Sequence, residues 1–476
     1  MAKKTHFDFQ RNVAKALDNP QLRSNLRAAM TTLAEKRRAV FSDAEETEKL
    51  RDLGASIKRR CLQKLPELLE KLERSCTANG IRVHWAETTD AANTAVLDIM
   101  RSHGATRMVK GKSMVSEELH LNAFLEANGI ESMETDLGEY IIQLEKEPPS
   151  HIIVPAIHKN KDEIARSFHE KIPETPYTED VEELTAIARR ILRKKFYAGQ
   201  VGLSGVNFAV AETGTLCLVE NEGNGRMCTT VPPVHIAVMG LEKVVEKLVD
   251  VPPLLRLLTG SATGQMITTY INMITSPRKA GEKDGPKEVH LIILDNGRSR
   301  ILTDPQMRQT LLCIRCGTCL NHCPVYIRIG GHAYGFVYPG PIGKILTPQM
   351  AGLDTAGELA TASSLCGACE AVCPVKIPIP SLLRRLRNES YDNVDSPAVA
   401  GHGYKKQSVE RMVWKGWELV NRVPALNSAN TKMLGVLGSK LPRVGPLGAW
   451  TATRCRPPFA KKSLHDLVKE QGVDHE

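Results

Sequence analysis

Seven of the chain's twelve cysteines fall between Cys313 and Cys373. They form two runs, CIRCGTCLNHCP from Cys313 and SSLCGACEAVCP from Ser363, and each run ends in Cys-Pro. The first has the C-x2-C-x2-C-x3-C-P spacing of a four-iron site. One turn of backbone presents three thiolates to one cube, and the fourth cysteine faces away to serve a second cube. Aligned on the closing Cys-Pro, Cys366, Cys369 and Cys373 match Cys316, Cys319 and Cys323, and Ser363 stands where Cys313 stands. Crossing the fourth ligands gives one complete set, Cys313, Cys316, Cys319 and Cys373. The other set is Cys323, Cys366 and Cys369 with one place vacant. Two clusters are expected, both of the [4Fe-4S] type, the second labile and able to settle as a three-iron form. Its open place can go to the Ser363 alkoxide, a harder ligand than thiolate, to solvent, to a partner or to another residue. Zinc is the other reading of C-x2-C pairs, but zinc takes four ligands per site, and seven cysteines in two such runs fit it badly.

Clusters of this kind carry single electrons, with potentials set by charge, hydrogen bonds and exposure. No G-x-G-x-x-G opens a helix after a strand, so no dinucleotide site of that type is expected. The remaining cysteines, Cys61, Cys76, Cys217, Cys228 and Cys455, read as small packed residues. Clustering of the other seven fits metal ligation in a reducing compartment rather than a disulfide framework.

At 476 residues, 42% hydrophobic and 25% charged, the composition is globular and the length suits two or three domains. No stretch approaches the roughly 20 apolar residues of a membrane span, and the basic start lacks the apolar core of a secretory signal. A cytoplasmic protein is expected, with room for peripheral contact at the inner face of the membrane. From Tyr391 onward there are 13 Lys/Arg against 8 Asp/Glu, so +5 of the formal +9 lies in the last 86 residues. No nucleic-acid motif accompanies that charge, so no nucleic-acid partner is expected. An anionic partner surface or lipid headgroups suit it as well.

The elements that must position the cysteines fall into four segments. Residues 1–80 show helical periodicity in NPQLRSNLRAAMTTLAEKRRAVF and IKRRCLQKLPELLEKLERSCTANG, expected to pack on the next domain or to act as a docking arm. Residues 81–299 alternate strand candidates (IRVHWAE, TRMVKG, HIIVPAI, FAVAETGTLCLVEN, VHIAVMG, ITTYINMIT, VHLIILDNG) with helical ones (SEELHLNAFLEANG, KDEIARSFHEKI, VEELTAIARRILRKKF, LEKVVEKLVD). Such alternation predicts an α/β domain with a largely parallel sheet, with loops beginning at TGSATGQ and SPRKAGEKDGPKE. Residues 300–390 carry the cysteines and close on the Pro-initiated helix IPIPSLLRRLRNES. SPAVAGHGYKK then reads as a linker. The region 391–476 is basic and holds Trp414, Trp417 and Trp450 beside Lys415, Arg443 and Arg454, suited to docking or to a small packed subdomain.

The stretches VKGKSMVSEE, VGLSGVNFAVAETGTLCLVENEGNGRMCTTVPPVHIAVMG and CPVYIRIGGHAYGFVYPGPIGKILTP resemble the signature of the lactate-utilisation (LUD) domain. The whole chain is similar to the lactate-utilisation protein B family of iron–sulfur proteins. That resemblance implies a NagB/ribose-phosphate-isomerase/CoA-transferase-like α/β fold followed by an α-helical ferredoxin module. It also implies a role beside companion lactate-utilisation proteins A and C in oxidising L-lactate to pyruvate. The seven cysteines carry over as one complete set and one set of three. The related glycolate-oxidase iron–sulfur subunit keeps the leading cysteine of its second run, and this chain departs from it at Ser363. Two other classes remain open: an acyl- or CoA-transfer enzyme with accessory clusters, and a redox sensor or scaffold.

Within the LUD-like region, Glu212, Glu220, Asn221, Glu222, Asn224 and Arg226 surround Gly214, Gly223 and Gly225. A Gly-rich loop after a strand can cradle an anion. Arg226 suits a carboxylate, and Glu212 or Glu222 suits a base or nucleophile; a plain polar turn is the competing reading. Lys110, Lys112 and Ser113 form a second anion candidate ahead of a helix. His235, His290 and His332 are expected to be structural.

Overall fold

The computed structural model describes residues 8–392, 408–438, 448, 455, 459–460 and 462–472. The chain divides into two units, Met1–Tyr404 and Lys405–Glu476. Among the described residues the first unit holds ten strands: β1 (Ile81–Ala86), β2 (Arg107–Lys110), β3 (Glu131–Glu134), β4 (Val201–Gly205), β5 (Phe208–Val210), β6 (Thr215–Glu220), β7 (Val234–Gly240), β8 (Val244–Val245), β9 (Tyr270–Ile274) and β10 (Glu288–Leu294).

Six strands form a sheet in the order β1-β10-β7-β4-β2-β3, parallel at every pairing. β7 is buried at all seven positions and β10 from Val289 to Leu294, as expected for central parallel strands covered on both faces. A second sheet, β8-β5-β6-β9, is mixed. FAVAETGTLCLVEN is therefore a hairpin rather than a single strand. Its turn needs Gly214 at φ +67, where an added Cβ would lie 2.8 Å from the Cys76 amide nitrogen.

Three stretches fold otherwise than the sequence predicts. LEKVVEKLVD is broken into two short 3-10 turns around β8, because Val244 and Val245 pair with β5 and sheet pairing overrides helical spacing. TGSATGQ begins inside a helix, Val251–Ala262, that starts on two prolines. HIIVPAI forms no strand; it is a buried loop whose polar atoms are used by the cysteine region. The Tyr326 hydroxyl donates to Ser150 O at 2.6 Å and the Gly331 N–H to Ser150 Oγ at 3.2 Å. His151 Nδ1 accepts the N–H groups of Ile153 and Val154, which leaves Nε2 to carry the proton donated to Asn321 Oδ1 at 3.0 Å. Burial lowers the His151 pKa to about 4, so the ring is neutral there.

Of the N-terminal helices Pro20–Val40, Ala44–Gln63 and Leu65–Ala78, the first two are capped by the side chains of Asn19 and Asp43. They pack on the α/β domain and also reach the cysteine region. Arg37 Nη2 donates to Val372 O at 3.2 Å, and Arg51 Nε to Cys373 O at 3.0 Å.

A chain of buried charges joins the α/β domain to the cysteine region. Arg298 is fully buried and bonds Glu118 through both terminal nitrogens, at 2.8 and 2.7 Å. Its Nε lies 2.8 Å from Glu242, which also pairs with Arg315 Nη2 at 3.1 Å. The Tyr338 hydroxyl closes the chain on Glu118 at 2.6 Å. Burial opposes the Glu242 charge, but Arg298, Arg315 and Lys243 outweigh it and hold the carboxyl down at about 2.

The second unit contains helices Ser408–Arg422, Pro424–Leu437 and Leu464–Gln471. Trp414 and Trp417 meet edge to face at 5.9 Å and are both exposed. Trp450, Arg443, Arg454 and the linker SPAVAGHGYKK lie outside the described residues. Cys455 is exposed, against the expectation of a packed residue; Cys61, Cys76, Cys217 and Cys228 are buried. Among the described residues no helix is long and apolar enough to cross a membrane.

Candidate functional site

The two cysteine runs fold alike. Arg315 and Leu365, which precede Cys316 and Cys366, both take positive φ (62° and 56°), and so do the glycines that follow, Gly317 (74°) and Gly367 (81°). Side-chain-bearing residues seldom adopt that conformation. Its recurrence at matched positions marks one turn built twice. Each turn leads into a short helix, Thr318–Asn321 and Ala368–Ala371. The Arg315 N–H donates to Cys313 Sγ at 3.4 Å, and the Leu365 N–H to Ser363 Oγ at 3.2 Å. Ser363 thus stands to its turn as Cys313 does to the other.

Cys313, Cys316, Cys319 and Cys373 line one small cavity together with Ile152, Arg315 and Ile377. Cys323, Cys366 and Cys369 line a second, with Ser363 in its wall. Within each cavity the thiols converge without a disulfide, a donor set that fits an iron–sulfur cube, with the second set one thiolate short. The first four cysteines are buried, whereas Cys366 is exposed. Burial pushes the Cys369 thiol up to about 12 and the Cys373 thiol up to about 11. Metal binding offsets that cost by holding the thiolate form. The Ala368 N–H lowers the pKa of Cys366.

Buried cations stand beside the sulfurs. Lys344, 1% exposed, directs Nζ to Cys323 Sγ at 3.5 Å and lies 5.5 Å from the Tyr334 ring centroid. Arg315 lies 4.9 Å from the Tyr338 ring centroid, and buried Lys58 donates to Glu242 O at 2.6 Å. Removing a cation next to a reducible group makes its reduction harder. Lys344→Met is expected to lower the midpoint potential of one cluster by on the order of 100 mV and leave the other within experimental scatter, as an EPR-monitored redox titration would read.

The candidates in the α/β domain separate. A cavity of about 320 Å³ opens at the carboxyl ends of β2 and β6, and its wall includes Lys112, Asp136, Asn207, Glu222, Thr263 and Arg315. Of the three proposed reacting groups, Glu222 lines this cavity and accepts the Leu137 N–H at 3.0 Å. Burial of its carboxyl, then the charge of Asp136, pushes its pKa up. Glu212 instead accepts the Leu248 N–H at 3.0 Å. The Arg226 side chain is exposed and outside the cavity lining; its N–H donates to Glu220 Oε1 at 2.6 Å. Glu220 also receives the Gly225 N–H at 2.6 Å and Asn272 Nδ2 at 2.8 Å, and Asn221 ties to Gln265.

Lys110 is buried among Glu117, Glu134 and Ser116. Lys112 reaches Asp136 Oδ2 at 2.8 Å and Ile153 O at 3.0 Å. Ser113 Oγ accepts the Ser116 N–H. His235 and His290 are buried in the sheet, and His332 Nε2 meets Pro148 O at 2.8 Å. Sequence reasoning passed over Arg315 as a cavity residue. The signal was there, a large cation between two ligand-spaced cysteines, but only folding shows what lies on its far side.

Such an architecture defines a LUD-domain protein with an iron–sulfur dicluster module. Family models match accordingly: the LUD domain over residues 69–294, a 4Fe-4S dicluster domain over 309–377, and the C-terminal domain of lactate utilisation protein B over 385–473. The chain belongs to the lactate utilization protein B family. It is 40% identical to lactate utilization protein B of Bacillus subtilis over 97% of this chain and 96% of that one, and 40% identical to that of Bacillus velezensis, covering 97% of each. It is also 39% identical, over 98% of both chains, to an uncharacterized electron transport protein, YkgF, of Escherichia coli. A solved DUF162 family protein from Deinococcus radiodurans aligns with a TM-score of 0.28 at 13% identity, over 48% of this chain and 98% of its own, too weak a likeness to carry an argument.

Proposed function

We propose that this protein is the iron–sulfur electron carrier of a multi-protein system that oxidises L-lactate to pyruvate, working with companion lactate-utilisation proteins A and C. The observation that carries the reading is the pair of thiol-lined cavities, each flanked by a buried cation. The names of the relatives support a place in lactate utilisation. Cys313, Cys316, Cys319 and Cys373 hold one [4Fe-4S] cluster; Cys323, Cys366 and Cys369 hold the second, with Ser363 at its fourth corner. The clusters accept and pass on single electrons. The protein fixes eight side chains around them, keeps bulk water from the first, and sets local charge through Lys344, Arg315 and Lys58. A two-electron donor therefore has its pair split in another subunit, or at a further site in this chain, before single electrons reach the clusters.

In the same reading the chain comprises a helical segment (1–80), a NagB/ribose-phosphate-isomerase/CoA-transferase-like domain (81–299), the ferredoxin-type module (300–390) and a basic region (391–476) that touches partners or the inner face of the membrane. The exposed Trp414 and Trp417 support that last assignment. Anaerobic co-purification with the companions, followed by L-lactate addition under EPR, tests the proposal. Lactate-dependent reduction of the clusters is expected, and clusters that dithionite reduces but the complete lactate system does not would sink it. Ser363→Cys adds the missing thiolate and is expected to abolish any three-iron signal that mild oxidation produces in the parent chain; a signal unchanged in size would place the vacancy elsewhere.

A further inference from the structure

A cluster of imidazoles lies at the β1 edge of the parallel sheet, and none of its residues lines either cysteine cavity or the 320 Å³ one. Glu288 and His290 are two apart on β10 and so share a face. Arg82 of β1 pairs with His290 in register, which puts Arg82 and His84 on that face too. Helix Thr89–Ser102 covers the face through Ala92, Val96, Ile99 and Met100, and the residue that ends it, His103, comes down beside Glu288. His103 Nε2 and His290 Nε2 each lie 3.5 Å from Glu288 Oε2, and the three residues offer ligand atoms within 4.8 Å of one another. Two ligands bound to a tetrahedral zinc at about 2.0–2.1 Å stand about 3.3 Å apart, so this spacing is close to that of a coordinated set.

His290 is 3% exposed, and its Nε2 makes no hydrogen bond among the described residues although a carboxylate faces it. Its other ring nitrogen, Nδ1, lies 2.9 Å from His84 Nε2, and a single proton serves that contact. When His84 supplies the proton, His290 Nε2 carries a hydrogen that bonds nothing. When His290 supplies it, Nε2 turns a lone pair towards Glu288, which repels unless a cation lies between. The second tautomer is also how a metal-bound imidazole is held, its remote N–H donated to a neighbour that fixes the ring. Glu288 accepts from Arg82 Nη1 at 2.6 Å as well. The Arg82 side chain is 63% exposed, however, and an ionised carboxylate has about four acceptor positions, so Glu288 can serve both. The negative end of the helix dipole at His103 also favours a cation.

We propose that His103, Glu288 and His290 bind a zinc ion, with His84 positioning the His290 ring and water in the fourth place. Two imidazoles and one carboxylate are a donor set that suits zinc. The ion ties the end of helix Thr89–Ser102 to the start of β10. This site goes beyond the electron-carrier reading and stands or falls independently of it.

The test uses the cluster-loaded full chain, titrated without air with zinc against a chromophoric chelator. One ion per chain is expected, and X-ray absorption at the zinc edge should show nitrogen and oxygen at about 2.0–2.1 Å rather than sulfur at about 2.3 Å. His84→Leu should weaken binding on the order of tenfold, and His84→Gln, which restores an acceptor for the His290 N–H, should recover most of that loss. His103→Ala removes a ligand at the surface, where the fold does not depend on it, and should cost at least as much. Zinc should also slow amide exchange at residues 101–105. Absence of saturable zinc binding overturns the inference, as does a zinc shell made of sulfur or an affinity that His103→Ala leaves unchanged. Equal losses in His84→Leu and His84→Gln would overturn the positioning role of His84, and unaltered amide exchange the tie between helix and strand.

Discussion

Cys373→Ala should cost the first cluster and spare the second, although Cys373 belongs to the second run of cysteines. Its sulfur lines the cavity of Cys313, Cys316 and Cys319, and the Ile377 N–H donates to it there at 3.3 Å. With one of four ligands gone from a buried site, roughly half of the iron and labile sulfide is expected to disappear. The three-iron signal of the second cluster should persist. Cys323→Ala is the mirror experiment: it lies in the first run, lines the cavity of Cys366 and Cys369, and should remove that signal. Ligands that stay within their own runs would give the opposite pair of results.

Arg298→Met is expected to destabilise the fold by about 3–5 kcal/mol, the range for removing one member of a buried ion network. Glu118 would keep Asn296 and Tyr338, and Glu242 would keep Arg315, but two buried carboxylates would then share one cation. Denaturant unfolding of the apo-protein, where cluster loss does not intervene, reads this directly. Glu118→Gln should cost less, since an amide in the same place still accepts from Arg298. Acid acts on the same network. Glu242 titrates at about 2 in the fold against an ordinary 4.5, so its contribution is complete above about pH 4.5 and fades as pH falls towards 2. Apo-protein stability is expected to drop across that interval in the wild type and less in Glu242→Gln.

How much of this was legible beforehand follows the range of the interactions. The cysteine runs could be read because cluster ligation is set by spacing within a dozen residues, and the serine at 363 announced itself by alignment of one run on the other. The parallel sheet was legible because β7 and β10 are apolar on both faces. What escaped depended on distant partners. LEKVVEKLVD carries helical spacing, but its valines pair with β5, and HIIVPAI resembles a strand until Tyr326, Gly331 and Asn321 draw its backbone and His151 into the cysteine region. Glu212, Glu222 and Arg226 lie within fifteen residues of one another in sequence. Of these only Glu222 lines the cavity, while Arg315, nearly ninety residues further on, faces it.

The long reach of Arg37 and Arg51 has a consequence for how the molecule is made. Their acceptors, the carbonyls of Val372 and Cys373, lie 335 and 322 residues further along the chain. At about 5–20 residues per second of translation, the first helices leave the ribosome tens of seconds before their anchor points exist. With the proposed ligand set, cofactor insertion at the four-cysteine site waits for synthesis past Cys373, and a nascent chain halted before it lacks both these carbonyl anchors and one sulfur of that site.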